Sequence, residues 1–221
     1  EVRQVRRALV SALRPGRGPL LELRRRDAEA APMSGEKNRA WIKVVEPGEA
    51  VGELKAVYEA TLGKRGALAA VHKIHSLHPE TLTAHMALYM ELLFGQSPLT
   101  RREREAIAVA VSRTNGCAYC VAHHAEALAR YEKSPDHLAA VREGRWNALD
   151  IRTARLCQYA EKLTRDPASL RESDVALLRD TGLDDRAILD AAQIAAYFNF
   201  VNRLVLGLGV GLEDDRDGYR Y

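Results

Sequence analysis

The chain has 221 residues, of which 47% are hydrophobic and 29% charged, and its formal net charge is +3. This composition is typical of one globular domain or two small ones, and it excludes a wholly disordered protein. Three cysteines are too few for a disulfide-stapled mini-protein, and no apolar run reaches the roughly 18 residues that a membrane-spanning helix needs.

The basic charge is concentrated at the N-terminus. Residues 1–32 contain eight arginines and four acidic residues, a local charge of +4, which leaves −1 for the remaining chain. We interpret residues 1–40 as a mobile or loosely docked leader that precedes one helical domain over residues 41–221. A basic membrane or nucleic-acid contact and a targeting peptide are weaker interpretations of the leader, and Met33 is a candidate for the true start.

Apolar residues after residue 41 recur at helical spacing in one segment after another. The expected helices run from Glu53 to Leu62 with Gly63 as the stop, from Pro79 to Gly95, from the capping box Thr100–Glu103 to Asn115, from Cys117 to about Tyr131, from Asp150 to Thr164, from the capping box Ser169–Glu172 to Gly182, and from Asp184 or Asp185 to about Gly207. No stretch alternates in the manner of a half-buried strand. The sequence therefore predicts an all-α fold, a compact helical bundle.

The stretch from Glu105 to His124 carries the reactive side chains. Cys117 and Cys120 form a C-x-x-C pair at a predicted helix start, where exposed amide N–H groups and the positive helix terminus stabilise a thiolate. His124 lies one turn after Cys120, so its imidazole can accept or relay the thiol proton. Glu105 lies on the preceding helix, and a hairpin closed by the short Asn-Gly turn could bring its carboxylate towards the sulfurs.

Other interpretations of these residues remain open. Cys117, Cys120, His123 and His124 could hold a structural zinc ion, although the sequence offers no second ligand pair in a separate segment. Glu105 taken alone is typical of a solvated charge on a helix face, because three arginines surround it. We predict no bound metal or cofactor.

The pattern E-x11-C-x-x-C-x3-H resembles the AhpD-like alkylhydroperoxidase group within the carboxymuconolactone decarboxylase superfamily. Flanking stretches add to the likeness: S-L-H-P-E-T-L at 76–82, L-F-G-Q-S-P-L-T-R-R-E-R-E at 93–105, N-G-C-A-Y-C-V-A-H-H at 115–124 and A-A-Y-F-N-F-V-N-R-L at 195–204. The last stretch is similar to the peroxidase-related branch of that group. The resemblance covers residues 41–212 and implies an AhpD-like helical fold.

The resemblance also implies roles for individual residues. In that group the second cysteine attacks the peroxide and the first resolves the sulfenic acid, which corresponds to Cys120 and Cys117. The family glutamate and histidine, which match Glu105 and His124, relay the proton that activates the thiol. The chain departs from AhpD proper at Tyr119, where that enzyme has a further histidine before its second cysteine.

Four other side chains complete the predictions for individual residues. Tyr119, His123 and His85 are possible pocket residues, and His85 shares its helix side with three apolar residues, Leu82, Met86 and Tyr89. Cys157 lies on an apolar stripe, so we expect it to be a buried, inert thiol.

Together these features predict a thiol-dependent peroxidase that reduces hydroperoxides, including alkyl hydroperoxides. Its expected partners are the peroxide and an external dithiol or disulfide reductant protein, with no nucleic acid or membrane. We expect a cytoplasmic homo-oligomer. The alternatives are a thiol–disulfide oxidoreductase without a peroxidase role, a decarboxylase-type enzyme of the superfamily, and a structural zinc-binding module.

Overall fold

The computed structural model describes residues 40–213 and Tyr219, and these residues form an all-α fold. This part of the chain contains nine α-helices and three short 3₁₀ turns, with no β-strand, so the predicted fold class is confirmed. None of its helices has the length and apolar character needed to cross a membrane. The leader predicted at residues 1–40 lies outside the described residues except for Ala40, and the domain boundary stays a prediction.

The first half of the described chain supplies five helices: α1 Gly52–Arg65, α2 Ala70–Lys73, α3 Pro79–Phe94, α4 Arg101–Thr114 and α5 Ala118–Ala129. The predicted ends of α3 are confirmed, with Pro79 in its first turn and Gly95 directly after it. The predicted capping box of α4 is also present, since the Thr100 side chain accepts a hydrogen bond from the Glu103 N–H.

The prediction that Gly63 ends the first helix is wrong. The helix α1 continues to Arg65, and Gly66 closes it with a φ of 78°, which glycine adopts without strain. A single glycine inside a helix costs only about 1 kcal/mol relative to alanine. The last turn of α1, beyond Gly63, contains the almost completely buried Arg65, whose guanidinium donates a hydrogen bond to the Tyr89 hydroxyl.

The second half supplies four helices: α6 Pro135–Glu143, α7 Ile151–Arg165, α8 Glu172–Arg179 and α9 Asp185–Gly207. The side chains of Asp150 and Asp184 cap α7 and α9. The prediction that Ser169 opens a capping box is wrong, because its hydroxyl donates to the Asp166 carbonyl within a 3₁₀ turn. The helix α8 begins later, and α6 was not predicted.

The helix α4 is the centre of the bundle. It packs against α5, α7 and α9, and every residue from 103 to 112 is buried. A helix that is surrounded by protein on all sides belongs to the interior of a domain. A charged side chain on this helix, such as Glu105, must therefore find its partners inside the protein.

Candidate active site

A tight turn places the two cysteines at the start of α5. The turn follows Asn115, and Gly116 has a φ of 70°, a conformation that other residues rarely adopt. Cys117 is the N-cap of α5, and its sulfur accepts a hydrogen bond from the Cys120 N–H at 3.4 Å. The C-x-x-C pair thus lies at a helix N-terminus, as the sequence predicts.

The two thiols differ in acidity. The pKa of Cys117 is lowered chiefly by a hydrogen bond from the Cys120 thiol, and further by the Cys120 backbone N–H. The same thiol–thiol hydrogen bond, together with burial, raises the pKa of Cys120. Because the two thiols are hydrogen-bonded to each other, they lose their protons as a coupled pair, and the hydrogen bonds that Cys117 accepts favour the negative charge at its sulfur.

Glu105 is completely buried, and both of its carboxylate oxygens are paired. Oε2 lies 2.8 Å from Nδ1 of His124, and Oε1 accepts a hydrogen bond from Nε of Arg101 at 2.9 Å. Burial acts to raise the pKa of this carboxyl, but His124 and Arg101 together bring the pKa below its ordinary value. Because an ionised carboxylate only accepts hydrogen bonds, Nδ1 of His124 carries the proton and Nε2 is left as the basic nitrogen.

Cys120 and His124 line a common cavity of about 40 Å³. The three predicted pocket residues, His85, Tyr119 and His123, also line this cavity. Further aromatic side chains in the lining are those of Tyr197, Phe198 and Tyr219. Cys117 is fully buried and is not among the lining residues. Of the two cysteines, only Cys120 therefore lines the cavity.

The helix α9 holds the cysteine turn in place through two asparagines. The Asn115 side chain donates to Oδ1 of Asn199 at 3.1 Å and to Oδ1 of Asn202 at 3.0 Å. The fully buried Asn202 amide donates in turn to Ser112 at 3.3 Å and to the Cys120 sulfur. Asn202 therefore connects the turn with the sulfur that lines the cavity.

Glu213 is a site residue that sequence reasoning missed. Its carboxylate accepts hydrogen bonds from the Ala70 N–H and, at 2.9 Å, from the Tyr119 hydroxyl, and it lies 3.0 Å from Nε2 of His123. Burial acts to raise the pKa of Glu213, but the hydrogen bonds from His123 and from the Ala70 N–H outweigh burial and lower the pKa to about 2. No local pattern identifies a partner that lies 90 residues after His123.

The histidine-rich region lies beside the cavity. Nε2 of His85 is 3.3 Å from the Tyr197 hydroxyl, and the rings of His75 and His85 are 5.0 Å apart. Burial is the main cause that lowers the pKa of His85 to about 4, so this imidazole is neutral near pH 7. Among the residues that the structure describes, no group of three or more His, Cys, Asp or Glu side chains is arranged to hold a metal ion.

Cys157 lies apart from the other two cysteines. It is fully buried in a separate apolar cluster with α4 and α7 residues such as Ala106, Val109 and Ala154. Burial raises the pKa of its thiol, which suppresses the thiolate needed for redox chemistry.

Comparison with known proteins assigns the chain to a family. Residues 79–162 match the Carboxymuconolactone decarboxylase family. An uncharacterized peroxidase-related protein from Silicibacter sp. TM1040 is 30% identical, with a TM-score of 0.73 over 82% of this chain and 96% of that protein. The chain therefore belongs to the carboxymuconolactone decarboxylase family, and the predicted resemblance is confirmed.

Other solved structures are similar to this chain. An uncharacterized peroxidase-related protein from Ralstonia eutropha JMP134, with an alkylhydroperoxidase AhpD core, is 27% identical with a TM-score of 0.73, covering 81% of this chain and 95% of that one. The debrominase Bmp8 is 18% identical with a TM-score of 0.67, covering 81% and 94%, and shares the fold. A search of curated proteins gave no match. The two peroxidase-related proteins, from Silicibacter and Ralstonia, support a peroxidase-related role in general terms.

The substitution Glu213→Gln should remove a pH-dependent contribution to stability. The pKa of Glu213 is depressed in the folded protein, so its carboxylate stabilises the fold above the ordinary value of 4.5, and this contribution is lost as the pH falls towards about 2. The free energy of unfolding in urea should therefore fall more steeply between pH 5 and pH 3 for the wild type than for Glu213→Gln. The matched variant Glu91→Gln, on the exposed side of α3, should keep the wild-type slope; an identical slope for Glu213→Gln contradicts this role.

Proposed function

We propose that the protein is a thiol-dependent peroxidase that reduces hydroperoxides through Cys117 and Cys120. The observation that carries the proposal is that Cys120 and His124 line one cavity. Glu105 pairs with that imidazole, and Cys117 is hydrogen-bonded to Cys120. Peroxide reduction requires a thiolate, a base that holds its proton and a second thiol nearby, and this arrangement supplies all three.

The first step is the loss of one proton from the cysteine pair. Nε2 of His124 accepts this proton, and the Glu105 carboxylate stabilises the imidazolium that forms. The remaining proton is shared between the two sulfurs, and its movement to Cys117 leaves the thiolate on Cys120. The lowered pKa of Cys117 is therefore compatible with attack by Cys120, because movement of the shared proton transfers the negative charge from one sulfur to the other.

The second step transfers two electrons to the peroxide. The Cys120 thiolate attacks the terminal oxygen of ROOH, so that an S–O bond forms while the O–O bond breaks. The departing RO⁻ takes the proton from His124 and leaves as the alcohol, or as water when R is hydrogen, and Cys120 becomes a sulfenic acid. The Cys117 sulfur then attacks the Cys120 sulfur, its proton departs with the hydroxide as water, and a disulfide remains.

The third step restores the two thiols. An external dithiol attacks the disulfide, passes through a mixed disulfide and is itself oxidised, while its two protons return to Cys117 and Cys120. A reducing cytoplasmic compartment would keep such a dithiol available. The dithiol partner, the cytoplasmic location and a homo-oligomeric assembly are parts of the proposal.

Peroxide consumption in the presence of a dithiol tests the roles of the cysteines. Cys120→Ser should abolish turnover, because this variant has no sulfur at the cavity. Cys117→Ser, treated with one equivalent of peroxide and no dithiol, should hold a sulfenic acid that dimedone traps. Cys157→Ala, in a separate cluster, is the control and should turn over at the wild-type rate; equal turnover in all three variants contradicts the mechanism.

The pH profile of kcat/KM tests the role of Glu105. In Glu105→Gln the amide oxygen still accepts a hydrogen bond from His124, but the charge that stabilises the imidazolium is lost, so kcat/KM should fall by about 10²-fold. The midpoint of the rise in kcat/KM with pH should also change. Glu103→Gln is the matched control, because Glu103 is a buried carboxylate of the same helix that bonds Thr100 and Arg152. A wild-type rate and profile in Glu105→Gln, with both variants folded by circular dichroism, would refute the relay.

A further inference from the structure

Tyr219 forms part of the cavity lining beside Cys120. Its ring stacks on His72 with centroids 6.1 Å apart and an interplanar angle of 20°, and it meets His123 edge to face at 5.6 Å. Its hydroxyl accepts a hydrogen bond from Nε of Arg65 at 3.4 Å. Rings on two sides and a cation therefore fix the position of this side chain.

The cation is the buried guanidinium of Arg65, which is only 1% exposed. Its central carbon lies 4.6 Å from the ring centroid of Tyr219, and 5.0 Å from those of Tyr89 and Phe94. Nη2 donates to the Tyr89 hydroxyl at 3.0 Å. Cation–π contacts strengthen when the cation is removed from water, and withdrawal of the Tyr219 ring would deprive a buried charge of its nearest ring and of one acceptor.

Glu213 provides a second attachment to residues that line the cavity. Its carboxylate forms hydrogen bonds with Tyr119 and His123, which lie on α5 and line the cavity. It also accepts a hydrogen bond from the backbone N–H of Ala70 on α2. Glu213 and Tyr219, both near the C-terminal end of the sequence, are therefore bound to the residues around Cys120 at separate points. We call these two residues the C-terminal wall.

The space that this wall leaves is small. The cavity of about 40 Å³ is much smaller than the roughly 150 Å³ of an engineered protein cavity that binds benzene. Hydrogen peroxide has two heavy atoms, whereas an aryl or branched alkyl hydroperoxide needs the volume that the Tyr219 ring fills. We propose that the C-terminal wall is a specificity determinant that restricts the substrate of Cys120 to peroxides of the size of hydrogen peroxide, an inference that rests on the proposed peroxidase function.

A comparison of two peroxides tests the wall. We would measure kcat/KM for hydrogen peroxide and cumene hydroperoxide in the wild type, in Tyr219→Ala and in Tyr219→Phe, which keeps the ring. The wild type should prefer hydrogen peroxide by about tenfold or more, a discrimination that pocket shape can supply. Tyr219→Ala should lower this preference by about tenfold or more, and Tyr219→Phe should retain it. Tyr219→Leu is the second truncation if Tyr219→Ala does not fold.

Alkylation of Cys120 tests whether the C-terminal wall restricts access by size, independently of peroxide reduction. In a Cys117→Ser background, the rates with the small reagent iodoacetamide and the bulky reagent N-phenylmaleimide would be followed by peptide mass. Tyr219→Ala should raise the maleimide rate much more than the iodoacetamide rate, while Tyr219→Phe should leave their ratio unchanged.

Together, the two assays distinguish failure of the peroxidase proposal from failure of the proposed size restriction. If the wild type reduces neither peroxide while the alkylation ratio changes as expected, the peroxidase proposal fails and the wall stands as a size filter. Equal use of both peroxides by the wild type overturns the specificity inference. It is also overturned if the alkylation ratio is the same in the wild type and in Tyr219→Ala.

Discussion

The site depends on the pairing of one buried charge. Glu105 lies on the helix that is enclosed on all sides, and an unpaired carboxylate there would cost several kcal/mol. Its contacts with Arg101 on α4 and His124 on α5 satisfy that charge and fix the alignment of the two helices. Because Cys117 and Cys120 open α5, the same pairing sets the position of both sulfurs relative to the imidazole.

The two cysteines differ in two respects, the favoured position of the negative charge and contact with the cavity. The N–H groups at the start of α5 favour negative charge at Cys117, whereas Cys120 lines the cavity. The Asn202 amide touches the Cys120 sulfur and also holds the turn that precedes Cys117. In the proposed mechanism, the negative charge is held on Cys117 until a peroxide enters the cavity, and it then passes to Cys120, which attacks the peroxide.

The sequence predicted the site residues that lie on two neighbouring helices of one hairpin, but not those that come from distant segments. Glu105, Cys117, Cys120 and His124 lie within 20 consecutive positions, so one hairpin predicted their proximity. Glu213 and Arg65 contact cavity-lining residues that lie in distant segments of the chain, and a single sequence carries no periodic signal for such contacts. Local patterns also misplaced the helix boundaries at Gly63 and Ser169, because a helix tolerates an internal glycine and because Ser169 belongs to a 3₁₀ turn that precedes α8.

In the proposed mechanism Cys117 and Cys120 form one redox unit, which can be tested by mass spectrometry of the protein after one equivalent of hydrogen peroxide. Trypsin releases both cysteines in the single peptide 114–130. We expect this peptide to lose two hydrogen atoms and to regain them with a dithiol, while Cys157 stays a free thiol. A peptide of unchanged mass, or one that gains oxygen without forming a disulfide, would show that the two cysteines do not act as one redox unit.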